Sequence, residues 1–339
     1  MKTIRLLVFT ISILLVHKVS VSLLFAQAPT TAKILFTSAR DGNYEVYIMN
    51  SDGTEQVNLT QHRAQDLDAV WSPTGEQILF ASDRRGKRDL YLMNPDGSNI
   101  RRVFKRKIQE WRTDPTWSPD GKQFAYWQWD RDENFRKFGI YIATLGEQDV
   151  ELLGKYSSPA WSPDGREIVC SVRGRLTFVN VRTQNQRLLL PKKAMFWQSH
   201  PSWSAAGDKL AFVWNKNPFP PDHKVGIEPV PEVWLNKRTV YIINRDGTGL
   251  QQLVDEAGPM AQDPELSPNA EEVLYTKVVK QRHQIFKVDV NSGVQTQLTH
   301  VGMPRFGNFG GDWFDPAYAL PVEPQPHLLT TTWAKLKKQ

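Results

Sequence analysis

One short word recurs along the chain and restricts what it can fold into. It reads Trp71-Ser72-Pro73-Thr74-Gly75, then Trp117-Ser118-Pro119-Asp120-Gly121, then Trp161-Ser162-Pro163-Asp164-Gly165. Looser copies follow at Trp203-Ser204-Ala205-Ala206-Gly207, Leu266-Ser267-Pro268-Asn269-Ala270 and Trp313-Phe314-Asp315-Pro316. The intervals are 46, 44, 42, 63 and 47 residues. A period in the forties is that of a four-stranded unit, which cannot bury its apolar faces alone and must stack against copies of itself.

Every unit reads in the same order. The Trp closes a short strand, and Pro-Asp-Gly makes a turn. An apolar strand follows, as at Gln77 to Phe80, Gln123 to Tyr126 and Lys209 to Phe212. After a loop comes a third strand, as at Tyr44 to Met49, Asp89 to Met93, Ile140 to Ala143 and Thr239 to Ile243. A second turn is Asn50-Ser51-Asp52-Gly53, Asn94-Pro95-Asp96-Gly97 or Asn244-Arg245-Asp246-Gly247, where Gly accepts positive φ without a Cβ clash. A polar-flanked outer strand ends the unit, at Gln56 to Thr60 or Gln295 to Thr299.

The two ends complement one another. The chain starts its repeats at Lys33-Ile34-Leu35-Phe36, which matches a second strand. The missing first strand is Gly311-Asp312-Trp313-Phe314 at the far end. Sharing one blade between the ends closes a ring and removes the exposed sheet edges that an open array would carry. The expected fold is therefore all-β: a six-bladed β-propeller of four-stranded antiparallel blades. Twelve Trp, 22 Pro and 21 Gly suit many short strands joined by tight turns.

The first 26 residues read differently. Lys2 and Arg5 precede an uncharged run from Leu6 to Val16, and Ala26-Gln27-Ala28 offers small residues for cleavage, favoured after Ala26. This is the pattern of a secretory signal peptide, and the run is too short for a span of roughly 20 apolar residues. The expected organisation is a signal peptide over 1–26, a propeller over 27–316 and a Pro-rich tail over 317–339, in a monomeric protein that is periplasmic or secreted. Cys170 is the single cysteine and sits in an apolar stretch, so it is expected to be a buried, inert thiol. The formal net charge of +6 includes Lys2, Arg5 and Lys18; without these three it is about +3, which is no nucleic-acid footprint.

The combination of Trp-Ser-Pro-Asp-Gly, apolar strand, Asn-x-Asp-Gly and Leu-Thr resembles the WD-like repeat of TolB-type propellers, over about residues 33–316. That resemblance implies the propeller fold, export, and action by binding. TolB is a periplasmic component of an envelope-spanning system whose propeller binds a peptidoglycan-associated lipoprotein. It also carries an α/β domain ahead of its propeller, whereas only a few residues here separate the leader from the first strand. A propeller standing without that domain is the expectation. Similar propellers sit beside hydrolase domains, yet this chain has no Gly-x-Ser-x-Gly elbow. No Cys-pair motif, phosphate loop or nucleotide fingerprint appears, so no cofactor is expected.

Strand order places the two turn types on one face and the second-to-third-strand loops on the other. Across loops 40–45, 83–89, 130–137, 173–175, 214–238 and 277–283, Lys and Arg exceed Asp and Glu by seven. Arg84, Arg85, Arg88, Arg173, Arg175, Lys280 and Arg282 are the candidate contacts on this basic face, which can steer an anionic partner. The 63-residue interval contains a Pro-rich insertion over 214–234, where Trp214, Phe219 and Trp234 are candidate anchors. A lid folded onto its own blade is the competing reading. Three residues before each repeat Trp, or its equivalent, stand Asp68, Asp114, Ser158, His200, Asp263 and Gly310. Asp68, Asp114, His200 and Asp263 on a shared mouth have the chemistry to ligate a hard cation, but the plainer reading is that each satisfies nearby backbone. The functional expectation is a non-catalytic envelope binding protein whose partner is an envelope protein or an anionic glycan. The alternative is a metal-assisted lyase or hydrolase acting on an acidic polysaccharide.

Overall fold

A computed structural model describes residues 27–105, 110–130, 138–194, 197–220, 229–302 and 307–321. The expected signal peptide, most of the tail and residues 221–228 of the insertion lie outside the described residues.

The repeats become six sheets of four strands among the described residues. The first blade contains β1 (Lys33–Ser38), β2 (Glu45–Asn50) and β3 (Val57–Asn58). The second is β4 (Asp66–Trp71), β5 (Ile78–Ser82), β6 (Asp89–Met93) and β7 (Arg101–Arg102). The third is β8 (Trp111–Trp117), β9 (Gln123–Trp129), β10 (Phe138–Thr144) and β11 (Val150–Gly154). The fourth is β12 (Ser157–Trp161), β13 (Glu167–Val172), β14 (Arg175–Asn180) and β15 (Gln186–Leu188). The fifth is β16 (Gln198–Trp203), β17 (Lys209–Trp214), β18 (Thr239–Asn244) and β19 (Gln251–Gln252), with helix α1 (Glu232–Leu235) before β18. The sixth is β20 (Ala261–Leu266), β21 (Glu272–Val279), β22 (Arg282–Asp289) and β23 (Gln295–Gln297). The last strand, β24 (Asn308–Phe314), pairs antiparallel with β1 and completes the first blade. The ring thus closes as the repeat phase requires.

The apolar alternation has a plain consequence. The inner strands bury both faces, and six separate cores form, one between each pair of neighbouring blades. Phe178 and Val169 of the fourth blade meet Phe212 and Tyr241 of the fifth, for example. Trp71 of the second blade meets Phe314 of the closing strand, with ring centroids 5.2 Å apart. Trp71, Trp117 and Trp161 are buried at these joints, as expected of a packing residue. Cys170 is buried among Ala125, Ile140 and Ile168, and burial pushes its thiol up to about 12. Among the described residues none of the six cores lies on the axis, and the innermost strands line a channel there.

The turns also tie blades together. Gly75 has φ +71, and a Cβ there would lie 2.3 Å from the Phe314 ring. Only glycine fits this close approach. Arg245 bridges two blades, donating to Asp164 at 2.9 Å and Glu167 at 2.7 Å.

Candidate functional site: the axial channel and its loop mouth

Each innermost strand carries the same irregularity. Its register with the second strand shifts once, at Leu67/Val70, Thr113/Thr116, Ser157/Ala160, Ser199/Ser202 and Gln262/Glu265, and against β1 at Leu35/Thr37. The residue inside each bulge has left-handed backbone: Asp68 (φ 54), Asp114 (53), Ser158 (51), His200 (50), Asp263 (51) and Gly310 (66). These are the six positions picked out three residues before the repeat Trp. Four are followed by proline, at 115, 159, 201 and 264. Proline brings no N–H, so the bulged edge leaves one donor fewer unpaired. The pattern X-Pro-x-Trp was therefore a readable sign of a bulge. Five non-glycine residues held in this region store strain, which a closed ring can sustain.

The bulges aim their side chains at the axis. Asp68, Asp114, Ser158, His200, Asp263 and Gly310 all line one cavity of about 720 Å3. Arg88, Trp127 and Phe309 border it toward the second-to-third-strand loops. A smaller cavity of about 200 Å3 lies toward the turns, bordered by Pro73, Pro163, Pro268 and Tyr318. Glu265 and Asp312 border both, and form the neck between them. These two, each one residue before a repeat position, were not foreseen.

The neck is tied by side chains that reach across blades. Thr116 accepts from the Trp161 N–H at 3.2 Å, and Ser202 accepts from Leu266 N–H at 2.9 Å. Asp312 accepts from Trp71 N–H. At Thr116, Ser202 and Asp312 the residue before the repeat position thus holds the next blade.

Enclosure by protein shapes the acid chemistry, although channel water reaches these groups. Burial, with the charges of Asp68 and Asp263, pushes the Asp114 carboxyl up to about 8. Asp68 is raised by burial, against a hydrogen bond from Thr113 and the nearby Arg88 charge. Burial and the facing Asp312 hold Glu265 well above the usual carboxylate range, and burial raises Asp312. His200 Nε2 stands 3.9 Å from Asp263 Oδ1. Among the described residues, no three His, Cys, Asp or Glu side chains converge as a metal site. The ring of Asp68, Asp114, His200 and Asp263 shares a cavity without gathering around one point. Asp68 instead reaches the next blade, accepting from the Thr113 hydroxyl and from Asp114 N–H at 3.3 Å.

The basic face sorts into two groups. Arg85, Arg173, Lys280 and Arg282 are exposed on the second-to-third-strand loops. Arg173 (φ 51), Lys280 (φ 47) and Gln281 (φ 63) sit at hairpin tips with left-handed backbone. The remaining three are turned inward, against the expectation of open contacts. Arg84 donates to the buried Asp66 at 2.9 Å and lies over Phe80 and Tyr91. Arg40 of the first blade repeats this seat, donating to Ser38 and lying over Phe36 and Tyr47. The repeated Phe-x-Ser-x-Arg of Phe36/Ser38/Arg40 and Phe80/Ser82/Arg84 was the sign of a structural arginine, and Ser171/Arg173, which lacks the Phe, leaves its arginine exposed. Arg175 is held by the Ala194 carbonyl at 2.7 Å, and Arg88 lies 5.3 Å over Trp111 beside the cavity.

The insertion corrects the anchor expectation. Trp214 is buried in the core between the fourth and fifth blades. Trp234, on α1, is 3% exposed; it stacks on Phe219 at 4.4 Å and donates to the Pro218 carbonyl at 2.9 Å. Asn215 reaches back to the Trp234 carbonyl at 2.6 Å. The described part of the segment is folded onto its own blade, because Phe219 and Trp234 gain more by packing together with Trp197 than by facing water.

With this geometry in place, the relationships of the chain are clear. Residues 22–207 match the family described as the TolB beta propeller domain. The chain belongs to that family. It is 37% identical over 62 residues to the Tol-Pal system protein TolB of Alcanivorax borkumensis, covering 17% of this chain and 14% of that protein. It is 29% identical over 175 residues to an uncharacterised protein of Agrobacterium fabrum, covering 48% and 53%. The chain thus spans about half or less of the relatives it matches. The crystal structure of TolB from Acinetobacter baumannii superposes with a TM-score of 0.66 at 18% identity, over 84% of this chain and 66% of that one. At that identity the likeness speaks for the fold. No helix among the described residues is long and apolar enough to cross a membrane.

Proposed function

We propose that this chain is a non-catalytic binding protein of the cell envelope, and that it takes its partner at the loop mouth of the axial channel. The observation that carries this reading is the set of exposed cations, Arg85, Arg173, Lys280 and Arg282, on the second-to-third-strand loops of three blades, on the side where Arg88, Trp127 and Phe309 border the 720 Å3 cavity. Rigid blades hold these irregular loops in fixed relative positions, which is how binding surfaces are commonly built. The strained tips at Arg173, Lys280 and Gln281 support the same reading. Family membership and the leader pattern over 1–26 favour an exported protein, periplasmic or secreted. A basic rim steers and orients an anionic partner, an envelope protein or an acidic glycan.

The test is capture from the native envelope fraction with residues 27–339 as bait, at low and high salt. The comparison is a variant with Arg85, Arg173, Lys280 and Arg282 each changed to Glu. A partner held at low salt, released at high salt and missed by the folded variant supports the reading. Capture that the variant leaves unchanged refutes it.

A further inference from the structure

The third blade breaks the repeat at one register. Just before each bulge, the innermost strand pairs with a residue of the second strand: Thr37, Ala81, Ser171, Val213 and Thr276 in five blades. All five are buried, and none is larger than valine. In the third blade this residue is Trp127, opposite Thr113. Two residues on, Trp129 pairs with Trp111. The three indoles form a row, with ring centroids 5.5 Å apart between Trp111 and Trp129 and 5.6 Å apart between Trp129 and Trp127. Each is partly exposed, and none belongs to the six cores between blades. The other five blades pack with small side chains at the register of Trp127, so the fold does not require this aromatic surface.

The row has a direction. Trp127 lines the 720 Å3 cavity together with Thr113, Asp114, Ser157 and Ser158. Ala125, on the same side of β9, packs against Ile168 and Cys170, so Trp127 and Trp129 face the fourth blade. The hairpin of that blade is short: Val172 pairs with Arg175 across the tip Arg173-Gly174. Counted from the bulge, Arg173 stands at the register of Trp129, and it is exposed. From the second blade, Arg88 lies 5.3 Å over Trp111 and also lines the cavity. The neighbouring blades thus bring a cation to either side of the row.

A sugar ring offers a flat face of C–H groups, which packs on the electron-rich face of an indole. Its hydroxyls both donate and accept, matching the carboxyl and hydroxyl groups of Asp114, Thr113 and Ser157 beside Trp127. An apolar peptide anchor would need an apolar pocket in their place. Carboxylates along a glycan chain match Arg88 and Arg173. We propose that the indole row is a stacking platform for an acidic glycan, whose rings lie on the indoles and whose carboxylates meet these two arginines. The proposal rests on the binding role given above and names the class of partner.

An array of defined oligosaccharides, with uronate- or lactyl-bearing chains beside neutral chains of equal length, tests it. The wild-type protein should retain acidic chains in preference to neutral ones, and lose them at high salt. Trp127→Thr installs the residue that the first and sixth blades carry at this register, and should weaken binding about tenfold with the melting curve unchanged. Trp129→Ala and the exposed Arg173→Glu should each do the same. A wild-type protein that retains no acidic chain overturns the proposal, and so does binding that Trp127→Thr and Trp129→Ala leave intact. Capture of an envelope protein that depends on Arg85, Arg173, Lys280 and Arg282 but not on Trp127 would overturn the glycan platform and leave the binding role standing.

Discussion

Asp114 offers a direct test of how the channel treats charge. Its carboxyl is raised from 3.8 to about 8 by burial and by Asp68 and Asp263. An acid raised in the folded state keeps its proton there while the unfolded chain releases it. The unfolded state then binds fewer protons between about pH 4 and 8, so stability falls as pH rises through that window. The contribution is whole below the unfolded value and gone above the folded one. Four units at about 1.36 kcal/mol each set a dry limit near 5–6 kcal/mol. Water in the channel screens the charges, leaving about 2–4 kcal/mol. Asp114→Asn removes the titration while keeping a residue that tolerates φ 53. Urea unfolding of both proteins at intervals from pH 4 to 9 should give equal stabilities at the acid end. The variant should lead by about 2–4 kcal/mol at pH 8 and above. A gap that stays constant across the range would show that the carboxyl is not held protonated, and the reasoning fails.

The other expectations concern packing and can be read by melting or denaturant curves. Arg84→Ala should cost about 3–5 kcal/mol, because the buried Asp66 carboxylate loses its partner, whereas Arg85→Ala should stay within about 0.5 kcal/mol. Phe314→Ala should cost about 3–5 kcal/mol by leaving a cavity against Trp71 at the ring-closing joint. Gly75→Ala should cost about 1–3 kcal/mol, since its Cβ would meet the Phe314 ring in left-handed backbone. Trp234→Ala should speed hydrogen exchange at the Asn215 and Asn217 amides by at least tenfold and leave the β5 and β13 amides protected; equal protection would show that the stack does not hold the insertion.

Sequence by itself determined the ring. The Trp-Ser-Pro-Asp-Gly period set the number of blades, and the phase of Lys33–Phe36 against Gly311–Phe314 set how the ring shuts. Both are local properties, a strand pattern and a turn repeated at fixed intervals, and such signals survive in one dimension. The six positions before the repeat Trp were legible for the same reason. Their meaning was not. Only the closed ring shows that Asp68, Asp114 and Asp263 share one cavity without forming a metal-ligand cluster among the described residues, and that Glu265 and Asp312 make its neck. Side-chain commitments were equally hidden. Arg84 and Arg85 are neighbours of identical charge potential, yet one is tied to Asp66 and the other faces water. Trp214 and Trp234 looked like anchors in a loop and are instead buried. Charge and aromaticity are written in the chain, but whether a group is spent on its own fold depends on neighbours that only the tertiary structure brings within reach.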